Sequence, residues 1–280
     1  MSPGQLESLL DDLERLLAAL PATGSESGHP GKQSAAARRR FEEIEVRVNQ
    51  LVISLDPVRR PKSAFDPAHP AQIGRFVALA LLAQARVPLG GVNRFYGAGI
   101  YALYYAGNFS LYKPLSKKEH PIYVGKADPK DTDAATPKAQ GMGLSVRLAD
   151  HVKSISRASV SNTATLRLED FECRYLIVQS GWQTAAEDYL IDLFKPIWNG
   201  ETRKVFGIGK HGDKAETRGN KRSPWDTLHP GRSWAGNEKV IDQKSPEKIS
   251  IELTEHFARN PPFDSVEEII QRFMADMRQS

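Results

Sequence analysis

Leu6, Leu9, Leu13, Leu16 and Leu20 recur at steps of three and four, with Leu10 and Leu17 widening the stripe. That period predicts an amphipathic helix. Phe41, Ile44, Val48, Leu51 and Leu55 repeat the steps and predict a second one. PATGSESGHPGKQS between them is a Gly/Ser/Pro connector. Two heptad-like stripes suit an antiparallel pair or a dimer seam, and equally suit helices packed on their own domain. After a proline-marked loop from Pro57 to Pro70, a further apolar helix is predicted from about Gln72 to Arg86.

The pattern changes near Pro88. FYGAGIYALYYAG, aromatic-rich and bounded by glycine, reads as a strand, and HPIYVGKA reads as a second. Leu144, Leu148, Val152 and Ile155 predict a helix. DFECRYLIVQS is a third strand, with Phe171, Cys173, Tyr175 and Ile177 on one face. Trp182 to Phe194 is a helix with Trp182, Ala185, Ala186, Tyr189, Leu190 and Leu193 as its stripe. The order ββαβα predicts an α+β core, a small three-stranded sheet flanked by helices. From Asn199 to Gly236 periodicity vanishes, which predicts a loop system or disorder, with Trp225 and Trp234 arguing for partial order. Ser265 with Glu268 fits a capping box opening a last helix, with Val266, Ile269, Ile270, Phe273 and Met277 as its stripe. The resulting division is a helical N-terminal region over 1–90, a core over 91–200, and a loop-rich plus helical C-terminal region over 201–280.

Hydrophobic residues at 40% and charged residues at 26% indicate a globular chain. LLAAL is cut off from spanning length by Asp11, Asp12, Glu14 and Arg15, and no stretch approaches the roughly 20 apolar residues of a membrane helix. No secretory signal is visible, and the single cysteine, Cys173, excludes a disulfide framework or a Cys-rich metal site. The cytoplasm is the expected compartment. The formal charge is +4. Residues 201–232 hold Arg203, Lys204, Lys210, Lys214, Arg218, Lys221, Arg222 and Arg232 against Glu201, Asp213, Glu216 and Asp226, so this window carries the whole excess. It is also rich in glycine.

Some polar residues sit where chemistry is feasible. Tyr101 in Gly99-Ile100-Tyr101 and Tyr123 in Tyr123-Val124-Gly125 alternate with branched residues, so both phenols can share one open surface, or can be plain core tyrosines. Arg147 and His151, four apart on a helix, share a face that also offers Asp150 and Lys153. A guanidinium forks onto phosphate oxygens and a histidine moves protons near neutrality, whereas a solvated polar face would need neither. Glu187 lies at the edge of an apolar stripe, where a carboxylate needs a cation, metal or Arg147. Thr184 three residues before it offers a capping-box explanation instead.

Taken in order, GIY, YVG, Arg147-x-x-x-His151, Glu187 and the Lys-Pro-Ile-Trp-Asn ending at Asn199 resemble the GIY-YIG nuclease superfamily. The similarity covers roughly Gly99 to Asn199. With its helical start and basic, Gly-rich end, the chain looks most like the type II restriction endonucleases of that superfamily. YVG stands where the family has YIG, and LYKPLSKKEH lengthens the connection between the tyrosine strands. The resemblance implies hydrolysis of a phosphodiester with Mg²⁺ (or Mn²⁺) held by Glu187. Arg147 would neutralise the scissile phosphate. Tyr101 would accept a proton from the attacking water, with His151 assisting or relaying. Tyr123 would position that water or a phosphate oxygen, and Asn199 would fix the active-site wall or a phosphate. Lys126 would add positive charge. Ionising an ordinary tyrosine near pH 7 costs about 4 kcal/mol, so the expected cleavage rate rises above neutrality. Double-stranded DNA is the implied partner, and Lys126, Arg203, Lys204, Lys210, Arg218, Lys221 and Arg222 are the expected contact pool, with Gly207 and Gly209 allowing close backbone approach. Cutting both strands of a palindromic site implies a homodimer, at least on DNA. A bacterial methyltransferase of matching specificity is the implied companion. Two alternatives stay open: a repair or mobile-element nuclease of the superfamily, and a noncatalytic DNA-binding protein with a decayed core.

Overall fold

The computed structural model describes residues 3–19, 32–56, 58, 64–159, 165–179, 181–208, 221–233, 235 and 240–278. The chain divides into two compact units, Met1–Ala64 and Phe65–Ser280. The first holds helices α1 (Pro3–Ala18) and α2 (Lys32–Leu55). Leu10, Leu16 and Leu17 of α1 are exposed, as are Phe41, Ile44, Val48, Leu51 and Leu55 of α2. The heptad-like stripes are therefore real helical faces, and these residues of them meet solvent.

The second unit begins with α3 (Pro70–Leu82). The sequence groups this helix with the N-terminal region, but it belongs to the second unit and lies along α6 (Gln183–Phe194). It stops at Leu82, short of the expected Arg86, with Ala83 as its C-cap. Val87–Pro88 form a two-residue strand, β1. Strands β2 (Gly99–Tyr105), β3 (Tyr123–Ala127) and β4 (Phe171–Ile177) complete the sheet. Its order is β1-β4-β2-β3, antiparallel throughout, so the expected three strands gain a short fourth on the β4 edge. Two residues with one proline carry no alternation for a sequence reading to detect.

Every residue of β2 is buried. Ile100, Ala102 and Tyr104 face α3 and α6, packing with Ala78, Leu81, Ala186, Leu190 and Phe194. Tyr101, Leu103 and Tyr105 face the other way, toward Leu144, Leu148 and Ile155 of α5 (Gly143–Ser159), a helix preceded by the short α4 (Pro137–Gln140). Burial on both faces explains why GIYALYY reads as a continuous apolar run. It also corrects one expectation: Tyr101 does not stand on an open sheet face but is 1% exposed.

The described part of the aperiodic stretch is ordered core. β5 (Lys221–Arg222) leads into α7 (Pro224–Leu228), capped by the Ser223 hydroxyl accepting from the Asp226 amide at 3.2 Å. α7 inserts Trp225 beneath Trp198 and His229, with ring centroids 6.0 and 5.1 Å away. Arg232 is buried and clamps this segment: its Nη2 donates to Asp226 at 2.7 Å and to the Gly207 carbonyl at 2.7 Å. β6 (Ile241–Asp242) pairs in parallel with β5. Helix α8 (Pro246–Arg259), which hydrophobic spacing alone did not mark, is capped by Ser245 and buries Ile249, Leu253 and His256. The last helix, α9 (Val266–Arg278), has the expected Ser265 cap, while Glu268 returns to the Asp264 amide.

Candidate active site

The register of β2 and β3 places Tyr101 opposite Gly125. A side chain on Gly125 would set its Cβ 2.6 Å from the Tyr101 oxygen and 2.8 Å from the Tyr123 ring. The missing Cβ therefore makes the room in which the two phenols converge, with ring centroids 6.0 Å apart. Gly99 meets a different constraint: its φ of 154° is one side chains rarely adopt, and a Cβ there would lie 2.0 Å from the Leu176 carbonyl. The glycines of both short motifs are explained by close approach.

α5 crosses this face of the sheet and delivers His151, whose Nε2 is 2.8 Å from the Tyr101 hydroxyl. The imidazole is buried, and burial pushes its pKa down to about 4, with the Arg147 charge adding to the fall. It is therefore neutral at pH 7 and able to accept the phenolic proton. Burial raises the Tyr101 phenol well above its ordinary value, and Tyr123 beside it adds to the rise. Tyr123 is pushed up to about 12 by burial. Neither phenol ionises freely near neutrality. Arg147, one helical turn before His151, is exposed and makes no ion pair among the described residues.

From the opposite side α6 presents Glu187. The capping-box explanation fails here. The cap of α6 is Trp182, and the Thr184 hydroxyl accepts from Lys126 Nζ at 2.6 Å instead of closing the helix. The Glu187 side chain is 19% exposed, with Lys126 Nζ 3.9 Å away. Burial raises its pKa to about 7; Lys126 opposes this, and Glu201, Asp188 and Asp128 reinforce it. A hard oxygen donor whose negative charge Lys126 only partly offsets, with Asp128, Asp188 and Glu201 nearby, fits a divalent cation. Among the described residues no cluster of three or more His, Cys, Asp or Glu forms a metal cage. Mg²⁺ does not need one, since it commonly takes one or two carboxylates and fills its shell with water and phosphate oxygens.

Tyr101, Tyr123, Lys126, Arg147, His151 and Glu187 line one cavity of about 470 Å³. Asn199 does not. It is buried behind the wall, accepting from the Val124 amide at 3.0 Å and donating to the Val124 carbonyl at 2.8 Å. This two-way clamp holds β3 between Tyr123 and Gly125, the wall side of the two roles expected of Asn199.

The remaining basic candidates fare differently. Lys210 and Arg218 lie outside the described residues. Arg203, Lys204, Lys221 and Arg222 do not line the cavity. Arg222 is engaged within the fold, donating to the Ala235 carbonyl at 2.8 Å and pairing with Asp242 at 2.7 Å. Arg232, counted in the charge excess, is a structural clamp that also lines the cavity. The sequence reading gave Lys153 only as part of a solvated polar face and missed Ser154 and Arg157; all three line the cavity. The signal was available, because Arg147, Asp150, Ser154 and Arg157 recur at helical spacing, but the motif ends at His151.

The family model described as the Eco29kI GIY-YIG domain matches residues 93–257, more than half of the chain. No curated protein matches it. The matched span runs from the sheet through α7 and into α8, consistent with the insertion of Trp225 and His229 into the same core.

Proposed function

This chain belongs to the Eco29kI GIY-YIG family of restriction endonucleases, and from that membership we propose a metal-dependent enzyme that cleaves both strands of DNA at a specific, palindromic site. The observation that carries this reading is the convergence of Tyr101, Tyr123, Arg147, His151 and Glu187 on a single cavity. A decayed core would have no reason to keep a phenol hydrogen-bonded to a neutral buried histidine beside a free guanidinium.

Glu187 would hold the divalent metal, Mg²⁺ or Mn²⁺, which supplies charge neutralisation at the phosphate when bound. Arg147 binds a nonbridging oxygen of the scissile phosphate and stabilises charge as the phosphorane-like transition state forms. Water attacks phosphorus as the P–O bond to the departing strand breaks; the water's proton passes to the Tyr101 oxygen as the phenolic proton passes to His151 Nε2, and the departing oxygen takes a proton from solvent. Tyr101 begins and ends neutral, so no free phenolate is needed. Tyr123 orients the water from the other side. Lys126 holds charge beside Glu187, and Asn199 keeps β3 in register.

A monomer carries one such site. Cutting both strands of a palindrome calls for a two-fold dimer, which the exposed stripes of α1 and α2 support as a seam. A methyltransferase of the same specificity would protect the host genome. With Mg²⁺ and a sequence-diverse plasmid, the expected products are discrete double-strand fragments. Cleavage confined to branched or damaged DNA would instead favour a repair enzyme, and specific binding with no cutting under any divalent metal would overturn the enzymatic reading.

Gly125→Ala gives a second expected outcome. Overpacking of this kind costs about 1–3 kcal/mol, and displacing a reacting group by about 1 Å costs on the order of 100-fold in rate. The variant should melt only moderately lower yet lose at least that much single-turnover rate. A rate within threefold of wild type would show that Tyr101 does not need its place over Gly125.

A further inference from the structure

The cavity wall opposite Glu187 is one face of α5. Arg147 and Arg157 both line it, separated by Asp150 and Ser154. Ten residues of helix span about 15 Å, too far for both guanidiniums to serve one phosphate. Lys153 is occupied by Asp150 at 3.2 Å. Arg157, like Arg147, is exposed and makes no ion pair among the described residues. The end of α5 is also held in place: Gly231, at a φ of 145°, brings the backbone so close that a Cβ there would lie 2.3 Å from the Arg157 carbonyl. An exposed guanidinium with no ion pair among the described residues, on a residue that lines the cavity and on an anchored helix turn, offers an anion-binding group.

We propose that Arg157, assisted by the Ser154 hydroxyl, binds a second DNA phosphate, several nucleotides from the one held by Arg147. α5 then serves as a ruler along one strand, with its N-terminal half at the reacting phosphate and its last turn at a flanking phosphate. This rests on the nuclease reading for the identity of the scissile phosphate, but the flanking contact itself is a matter of binding. Arg157 touches no reacting atom. It contributes to affinity and register, not to the chemical step.

The test is the salt dependence of binding to a 30-base-pair duplex in Ca²⁺, without cleavage, for wild type, Arg157→Gln and Arg157→Lys. Removing one phosphate contact lowers the slope of log K against log salt by about one. Arg157→Gln should show that loss with roughly tenfold weaker binding at 0.1 M salt, and Arg157→Lys should recover the slope. An unchanged slope and affinity in a normally melting Arg157→Gln variant would overturn the proposal. So would a lost slope that the lysine does not recover. Absence of cleavage by wild type would sink the nuclease reading alone, because the slopes are measured without cutting.

Discussion

Glu187→Gln is expected to abolish cleavage while DNA binding persists. The amide keeps the shape and the approach to Lys126 but removes the charge a divalent ion requires. The larger consequence is for the metal-free fold. The folded carboxyl has a pKa near 7, raised by burial from an ordinary 4.5. A group raised in this way favours the folded state fully below about pH 4.5. That advantage is lost as pH rises through 7, where the ionised carboxylate sits poorly solvated among Asp128, Asp188 and Glu201. Glutamine has no such charge. At pH 8 the metal-free variant should therefore melt higher than wild type, by an amount corresponding to at most about 3 kcal/mol. The gap should close toward pH 4.5. Millimolar Mg²⁺ should raise the wild-type melting temperature at pH 8 and leave the variant where it was. Near-normal cleavage by Glu187→Gln would remove Glu187 from the metal site. A variant that melts identically to wild type at both pH values would show that the carboxylate is solvated after all.

The same residue marks how far the sequence could be read. Glu187 was legible as a carboxylate on the edge of an apolar stripe, and its helix and partner strands follow from hydrophobic period. What resolved the capping-box alternative was Lys126 reaching across to Thr184, a contact between residues 58 apart. Position along a strand gave the alternation of Tyr101 and Ile100, but not that both faces of β2 would be covered. That depends on α3 and α5 arriving from distant segments. In the basic window, too, contacts between distant residues were hidden from the sequence. Charge counted along the chain does not show that Asp242 holds Arg222, a contact candidate, or that Asp226 holds Arg232, counted only in the excess. The cations lining the cavity come largely from α5, which carries Arg147, Lys153 and Arg157 against Asp150, and from Lys126 on β3. Helix α8 was missed because its buried positions, Ile249, Leu253 and His256, are few and include a histidine. Its clear mark, Ser245-Pro246 as cap and first turn, is a feature of turn chemistry and not of period.

Tyr101→Phe and His151→Ala should each lower the single-turnover rate by about 10²–10⁴, the span of a positioned proton-transfer group. The double variant should lose little more than either single one. The structure gives the reason: the phenol and the Nε2 are 2.8 Å apart and form one path for one proton. Residues acting as a unit are strongly non-additive. Two independent contributions would multiply, and a double variant slower by the product of the single losses would break the relay. The pH profile separates the relay from a tyrosinate base. Burial places the Tyr101 phenol well above 10, so a base that had to ionise would make the rate climb tenfold per pH unit to pH 9.5 and beyond. In the relay the acceptor is His151, already neutral above its pKa of about 4. With metal saturating, the rate should then level off between pH 8 and 9.5. The rise expected from an ordinary tyrosine thus shrinks to the interval in which Glu187, with its pKa near 7, sheds its proton and can hold the metal. A wild-type rate still climbing at pH 9.5 would restore Tyr101 as a titrating base and leave His151 as its hydrogen-bond partner only.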